Sequence, residues 1–286
     1  MLGKLAVAAA ALPVAWGVIE ARLFALEHYG LPILPGSKSS SDLTILQVSD
    51  LHLRPRSRAL AKFIRSLRDS TYDVVLATGD LLGDPSAVEL CAELLNSLSA
   101  RHGRYFVLGS SDYYAPTFKN YLDYFTGKRR IPTKKTRTQE FRDALHKAGW
   151  EELTNRTVMR DLGGMTIQIT GLDDPHLNRD DRTLLVRDAA ADFALCVVHD
   201  PSPYLEASRA GFDLIVSGHT HGGQVRLPLI GALVTNSDLP RRYARGLSVI
   251  EKSTLFVNPG LGTGKFAPFR FLCRPEASVL HLTQKT

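Results

Sequence analysis

Four short apolar runs, Leu43 to Val48, Asp73 to Ala77, Ala194 to Val198 and Leu214 to Ser217, each stop at a turn loaded with acids or histidines. The turns read Ser49-Asp50-Leu51-His52, Thr78-Gly79-Asp80, His199-Asp200 and Gly218-His219-Thr220-His221-Gly222-Gly223. A short run of apolar, β-branched residues bounded by turn residues is a strand buried on both faces, and such strands belong to sheets covered by helices. Helical spacing from Ala59 to Leu67 and from Ala87 to Leu98 separates the first strands. Further strand-like runs follow at Tyr105 to Leu108, Met165 to Thr170, Leu255 to Val257 and Val279 to Leu282. Strand and helix alternate, so the class is α/β. Ligands of an open α/β sheet bind beyond the carboxyl ends of its strands, so four strands aim acids and imidazoles at one rim.

Spacing within the turns narrows the chemistry. Asp50 and His52 are two positions apart, as are His219 and His221, and in an extended segment such pairs project to one side and can grip one ion together. Singly, each residue has a plain explanation, an acid after a strand being commonly a helix N-cap. Six of them at four strand ends form a metal-site pattern. The three cysteines, Cys91, Cys196 and Cys273, lie far apart with no CxxC pair, so the ligands are carboxylate and imidazole. That donor set suits manganese, iron or zinc better than calcium or copper(I). Asp80 has two oxygens and stands between the two ligand sets, the position of a bridge between two ions. Two ions about 3.5 to 4 Å apart are the usual clamp for phosphoester hydrolysis.

DLH, GD, a histidine after an apolar strand and GHTHGGQ, in this order, resemble the calcineurin-like metallophosphoesterases over about residues 43 to 284. GHTHGGQ followed by Pro228, behind an N-terminal apolar segment, is further similar to the membrane-associated bacterial branch of that family. GSSDYYAP (Gly109 to Pro116) with the basic stretch after it is similar to its actinobacterial members. The resemblance implies a four-layer α/β/β/α sandwich and two metal ions. It would put Asp50, His52 and His221 on the first metal, Asp80 between the two, and His199 and His219 on the second. The implied reaction is in-line attack on phosphorus by a hydroxide held by the metals, with no covalent enzyme intermediate. The substrate would be a phosphoric ester or pyrophosphate, carried by a small molecule or a lipid.

One motif departs from the family. Where the pattern is Gly-Asn-His-Asp, this chain has Gly109-Ser110-Ser111-Asp112. A serine hydroxyl is a shorter and poorer neutral ligand than an asparagine carbonyl, so Ser110 is expected to reach the second metal at most through a water. Ser111 cannot donate a proton near neutral pH as an imidazolium does. His176, in Gly171-Leu172-Asp173-Asp174-Pro175-His176, is the candidate substitute acid, and Asp112 is expected to orient a neighbouring imidazole. The altered motif also admits a rival, a membrane-anchored module that binds metal or anions without turnover. Asn258 to Gly264 (NPGLGTG) lacks the Lys-Ser/Thr of a P-loop and reads as a tight turn before the last strands. Arg270 and Arg274 beyond it are either solvated or turned toward the phosphate.

Two segments lie outside this α/β rhythm. Leu5 to Ile19 is fifteen uncharged, mostly apolar residues behind Lys4, short of the roughly 20 needed to span a bilayer. It reads as an uncleaved anchor of the cytoplasmic membrane, with a signal peptide or a buried N-terminal helix as alternatives, and Leu23 to Ile33 as a second apolar piece at the membrane surface. Lys4 alone suggests an inside N-terminus. Ser37 to Ser41 is then a polar linker, making residues 1–41 anchor and linker and 42–286 the folded domain. The second segment, 116–138, carries seven of the chain's 35 lysines and arginines, with Phe118, Tyr121, Tyr124 and Phe125 before the basic cluster. It reads as an inserted loop, either solvated or a basic lid over an anionic substrate. The net charge of +6 suits an anionic substrate, membrane or nucleic acid alike, but no nucleic-acid motif accompanies it, which leaves a nucleic-acid phosphodiesterase as a minor alternative.

Overall fold

Strand alternation sets the layers of this molecule. The computed structural model describes residues 13–36, 42–117, 133–235 and 237–285. In chain order the strands are β1 (Ala25–Leu34), β2 (Leu43–Val48), β3 (Thr71–Thr78), β4 (Ser99–Val107), β5 (Glu151–Glu152), β6 (Arg156–Leu162), β7 (Met165–Gly171), β8 (Phe193–Val197), β9 (Leu214–Ser217), β10 (Arg226–Leu227), β11 (Gly231–Ala232), β12 (Gly246–Ile250), β13 (Ser253–Val257) and β14 (Glu276–Gln284). They build one six-stranded sheet in the order β1-β14-β2-β3-β4-β5, a second in the order β12-β13-β9-β8-β7-β6, and the small hairpin β10-β11.

Successive residues of a strand point to opposite faces, so a strand buried on both sides feeds two cores. On β2, Leu46 and Val48 join a core with the helices Arg58–Ser66, Val88–Asn96 and Thr138–Lys147, while Leu43 and Ile45 face the other sheet. On β8, Phe193, Leu195 and Val197 meet them from across the gap, and Ala194 and Cys196 face a third core with Ala207 and Phe212. Three cores between four layers make the α/β/β/α sandwich the sequence implies. The pairings β2–β3, β3–β4, β7–β8 and β8–β9 are parallel, so their carboxyl ends leave each sheet on the same side.

The domain boundary expected near residue 42 is corrected. β1 pairs in parallel with β14 from Ala25 against Glu276 to Leu34 against Gln284 and forms the edge of the first sheet. Its Leu31 and Leu34 are buried between the sheets. Residues 13–20 are helical and docked: the buried Glu20 carboxylate accepts from the backbone amides of Leu272 (3.0 Å) and Cys273 (2.6 Å) and from the Trp16 indole (2.8 Å). Among the described residues no helix is long and apolar enough to cross a membrane. Leu5 to Leu12 of the expected anchor, the linker Ser37 to Ser41 and residues 118–132 of the expected insert lie outside the described residues.

Candidate metal centre

The strand ends converge as their residue types suggest, and the backbone bends sharply to achieve it. Asp50 (φ 50°), His52 (φ 41°), Asp80 (φ 52°), His219 (φ 67°) and His221 (φ 50°) all occupy the left-handed region. Each such residue costs about 1 to 3 kcal/mol and persists only where its surroundings over-determine it, which is common at functional sites. Glycine makes the close approach feasible: a Cβ on Gly218 would lie 1.9 Å from Ser49 Oγ and 2.4 Å from Asp50 Oδ2.

Two groups of donor atoms meet around Asp80. In the first, His52 Nε2 lies 3.1 Å from His221 Nε2, and His221 Nε2 lies 3.5 Å from Asp50 Oδ1. In the second, His199 Nε2 lies 3.3 Å from His219 Nδ1. Asp80 presents one oxygen to each, with Oδ2 at 3.5 Å from His52 Nε2 and Oδ1 at 3.5 Å from His199 Nε2. Asp50, His52 and His221 can converge on one ion, and so can Asp50, Asp80 and His199, their donor atoms all lying within 4.8 Å of one another in each group.

Asp50, His199 and Asp80 are held from behind. Ser49 Oγ (2.6 Å) and the His219 amide (3.0 Å) donate to Asp50 Oδ2, leaving Oδ1 buried with no hydrogen-bond partner and aimed into the cluster. His199 Nδ1 is 2.8 Å from the Thr78 carbonyl, so it carries the proton and Nε2 faces the cluster. The Ser111 amide donates to Asp80 Oδ1 at 2.8 Å. Buried carboxylates and imidazoles packed this closely, one oxygen orphaned, fit a cation better than they fit each other.

At the first group the electrostatics agree, while at the second, against burial, the Asp80, Asp50 and Asp174 carboxylates push His199 well above its usual range. Burial pushes the His52 imidazole below its usual range, and His221 well below, which favours the neutral form that ligates metals. Burial alone would raise Asp80, but the imidazoles of His199 and His52 and the Ser111 amide hold it well below the carboxylate range. Burial and the Asp80 charge push Asp112 up to about 7.

Ser110 lines the cavity beside His52, Asp80, His219 and His221. Asp112 does not orient an imidazole, contrary to expectation. Backbone amides saturate its carboxylate, Leu81 and Leu82 donating to Oδ1 (2.9 Å each) and Gly109 to Oδ2 (3.0 Å). It therefore ties the loop after β3 to the loop after β4. His176 is largely buried, its ring centroid 5.1 Å from that of His219 and its Nδ1 4.0 Å from Asp200 Oδ2.

Sequence reasoning missed the roles of two residues. Asp200 backs the second group, its Oδ2 3.6 Å from His219 Nε2 while Ser202 and Ser237 donate to Oδ1. Its neighbour His199 marks it in the sequence, but nothing there separates it from an N-cap. Arg270 is neither solvated nor turned toward a phosphate: it is fully buried. It donates to the carbonyls of Gly262 (2.7 Å), Pro259 (2.8 Å) and Gly260 (3.0 Å), with Nη2 3.3 Å from His221 Nδ1. The Asn258–Gly264 turn it holds wraps the DLH segment, the Leu261 amide donating to Ser49 O and the Gly262 amide to Asp50 O.

A family model described as calcineurin-like phosphoesterase matches residues 43–223, from β2 through the GHTHGG turn. The chain belongs to the calcineurin-like phosphoesterases. Among curated relatives of this metallophosphoesterase, YkuE of Bacillus subtilis is 29% identical over 83% of this chain and 78% of its own length. YkoQ of the same organism is 28% identical over 85% and 84%, respectively, and both are described as uncharacterized metallophosphoesterases. Among solved structures, the NAD nucleotidase NadN of Haemophilus influenzae aligns with 79% of this chain and 46% of its own, at 14% identity and a TM-score of 0.49. Metal binding and phosphoester hydrolysis are the chemistry of this family, and the donor clusters described above supply the groups for it.

Proposed function

We propose that this calcineurin-like phosphoesterase hydrolyses phosphoric esters or pyrophosphates with two ions, of manganese, iron or zinc, held at the ends of β2, β3, β8 and β9. The observation that carries the proposal is Asp80, whose two oxygens face two separate groups of histidines at equal distances of 3.5 Å. Asp50, His52 and His221 would hold the first ion, His199 and His219 the second, with Asp80 between them. Bound ions of this kind acidify a water and neutralise the charge that builds on the phosphate oxygens. Asp200 orients His219 from behind, as Thr78 orients His199, and these contacts keep both imidazoles aimed without a substrate present. Ser110, which lines the same cavity, would be the neutral ligand of the second ion. His176, whose ring lies 5.1 Å from that of His219, would give a proton to the leaving group, the part Ser111 cannot play. The apolar run Leu5 to Ile19, whose described end packs on the domain, supports a place at the membrane surface, which makes lipid-linked phosphates candidate substrates beside small molecules.

A metal-loaded screen across aryl monoesters, aryl diesters and pyrophosphates tests this reading. Turnover of at least one class with close to two ions per chain supports it. One ion or none, with no ester hydrolysed, makes the protein a binding module instead.

A further inference from the structure

The metal cluster opens into a cavity of 340 Å³ whose far wall is apolar, including Val225, Leu233, Val234 and Phe269. The segment Phe269–Phe271 lies between two protruding elements. On one side the Arg270 amide donates to Gly17 O of the N-terminal helix (2.9 Å), and on the other the Arg226 amide donates to Phe271 O at the base of the β10-β11 hairpin (2.9 Å). Both elements turn large apolar side chains to solvent: Val14, Trp16 and Ile19 on the helix, and Leu229, Ile230 and Leu233 on the hairpin, with Leu229 fully exposed. Leu229 also sits at φ 66°, a strained conformation that no packing repays. Next to this apolar rim, and sharing His52 with the cavity, runs a groove of 690 Å³ lined by Arg22, Arg54, Arg56 and Arg58. None of these four guanidinium groups has a carboxylate partner among the described residues, and Asp84, which also lines the groove, lies 3.8 Å from Lys265.

Apolar side chains projecting beside unpaired arginines, around the mouth of one site, match the layered chemistry of a bilayer surface, hydrocarbon below and phosphate above. We propose that this face docks on an anionic lipid bilayer. The hairpin tip and the helix enter the acyl boundary, the arginine groove takes headgroup phosphates, and the metal cluster meets phosphoesters carried by membrane lipids. A water-soluble ester would need neither the apolar rim nor the second basic groove. The substrate class rests on the hydrolase reading above, whereas docking does not and is read with metal-free protein.

The test is Leu229→Cys, labelled with an environment-sensitive dye in the full chain, since the three native cysteines are buried. Cosedimentation with vesicles is measured beside emission. On equal parts of phosphatidylglycerol and phosphatidylcholine the labelled protein should sediment and its emission should rise and shift to the blue. Arg56→Gln with Arg58→Gln should raise the lipid concentration at half-maximal emission by roughly 25-fold at about fivefold per charge, with an unchanged melting temperature. Failure to sediment, sedimentation with the dye still in water, or an equal response to phosphatidylcholine alone would each overturn the proposal. A protein that docks as described but hydrolyses nothing would refute the hydrolase reading and leave the docking face standing.

Discussion

His52 and His221, 169 positions apart in the chain, stack with ring centroids 5.0 Å apart and point their Nε2 atoms at each other across 3.1 Å. Two neutral imidazoles in this arrangement make at most one hydrogen bond between the facing nitrogens, and with both nitrogens bare they are a ready pair of ligands for a shared cation. His221→Ala should therefore lower the metal content from two ions per chain to one, because the Asp80, His199 and His219 group is left intact. Elemental analysis after dialysis checks this, and two retained ions would remove His221 from the ligand set.

Arg270 connects that ligand to the fold. Replacing it with methionine leaves the carbonyls of Pro259, Gly260 and Gly262 buried without a donor, at a cost of about 3 to 5 kcal/mol. The melting temperature should fall by about 10 °C, and Arg270→Lys should recover little of it, since one ammonium cannot fan across three carbonyls. Thermal denaturation within about two degrees of wild type would show that the turn holds itself.

Burial pushes the Asp174 carboxyl up to about 7, against the attraction of His199 and His219. The folded protein then binds this proton more tightly than the unfolded chain does. The contribution is present in full below about pH 4 and is lost as pH rises through 7, amounting to at most about 4 kcal/mol. Urea titrations of metal-free protein between pH 5 and 8 should show stability declining with pH, and Asp174→Asn should flatten the decline. An identical slope in both proteins would assign the effect elsewhere.

The site was legible because its chemistry is concentrated. Asp50, His52, Asp80, His199, His219 and His221 sit in turns directly after apolar strands, and both the strands and the turns can be read locally. β1 could not be read that way. Its ALEHYGLPIL has no clean alternation, and Pro32 argues against a strand, yet an edge position with a register irregularity between Pro32 and Leu34 accommodates both. It also follows an apolar segment that reads as membrane-seeking, which pulled the domain boundary past it. Arg270 was hidden for a different reason: its partners are backbone carbonyls, which have no sequence signature, and a charged residue is buried only where such partners converge. Asp112 holds amides on the loops after β3 and β4, a relation between segments that spacing within one motif does not reveal.

The bridging place of Asp80 is the centre of this account, and Asp80→Asn tests it with the smallest change of shape. With the protein loaded with manganese, hydrolysis of an aryl phosphate ester that the wild type turns over should drop about a thousandfold or more, because an amide cannot give two charged oxygens to two ions. The variant should keep its fold by circular dichroism and bind fewer than two ions. Turnover at the wild-type rate with Asn at this position would contradict the account.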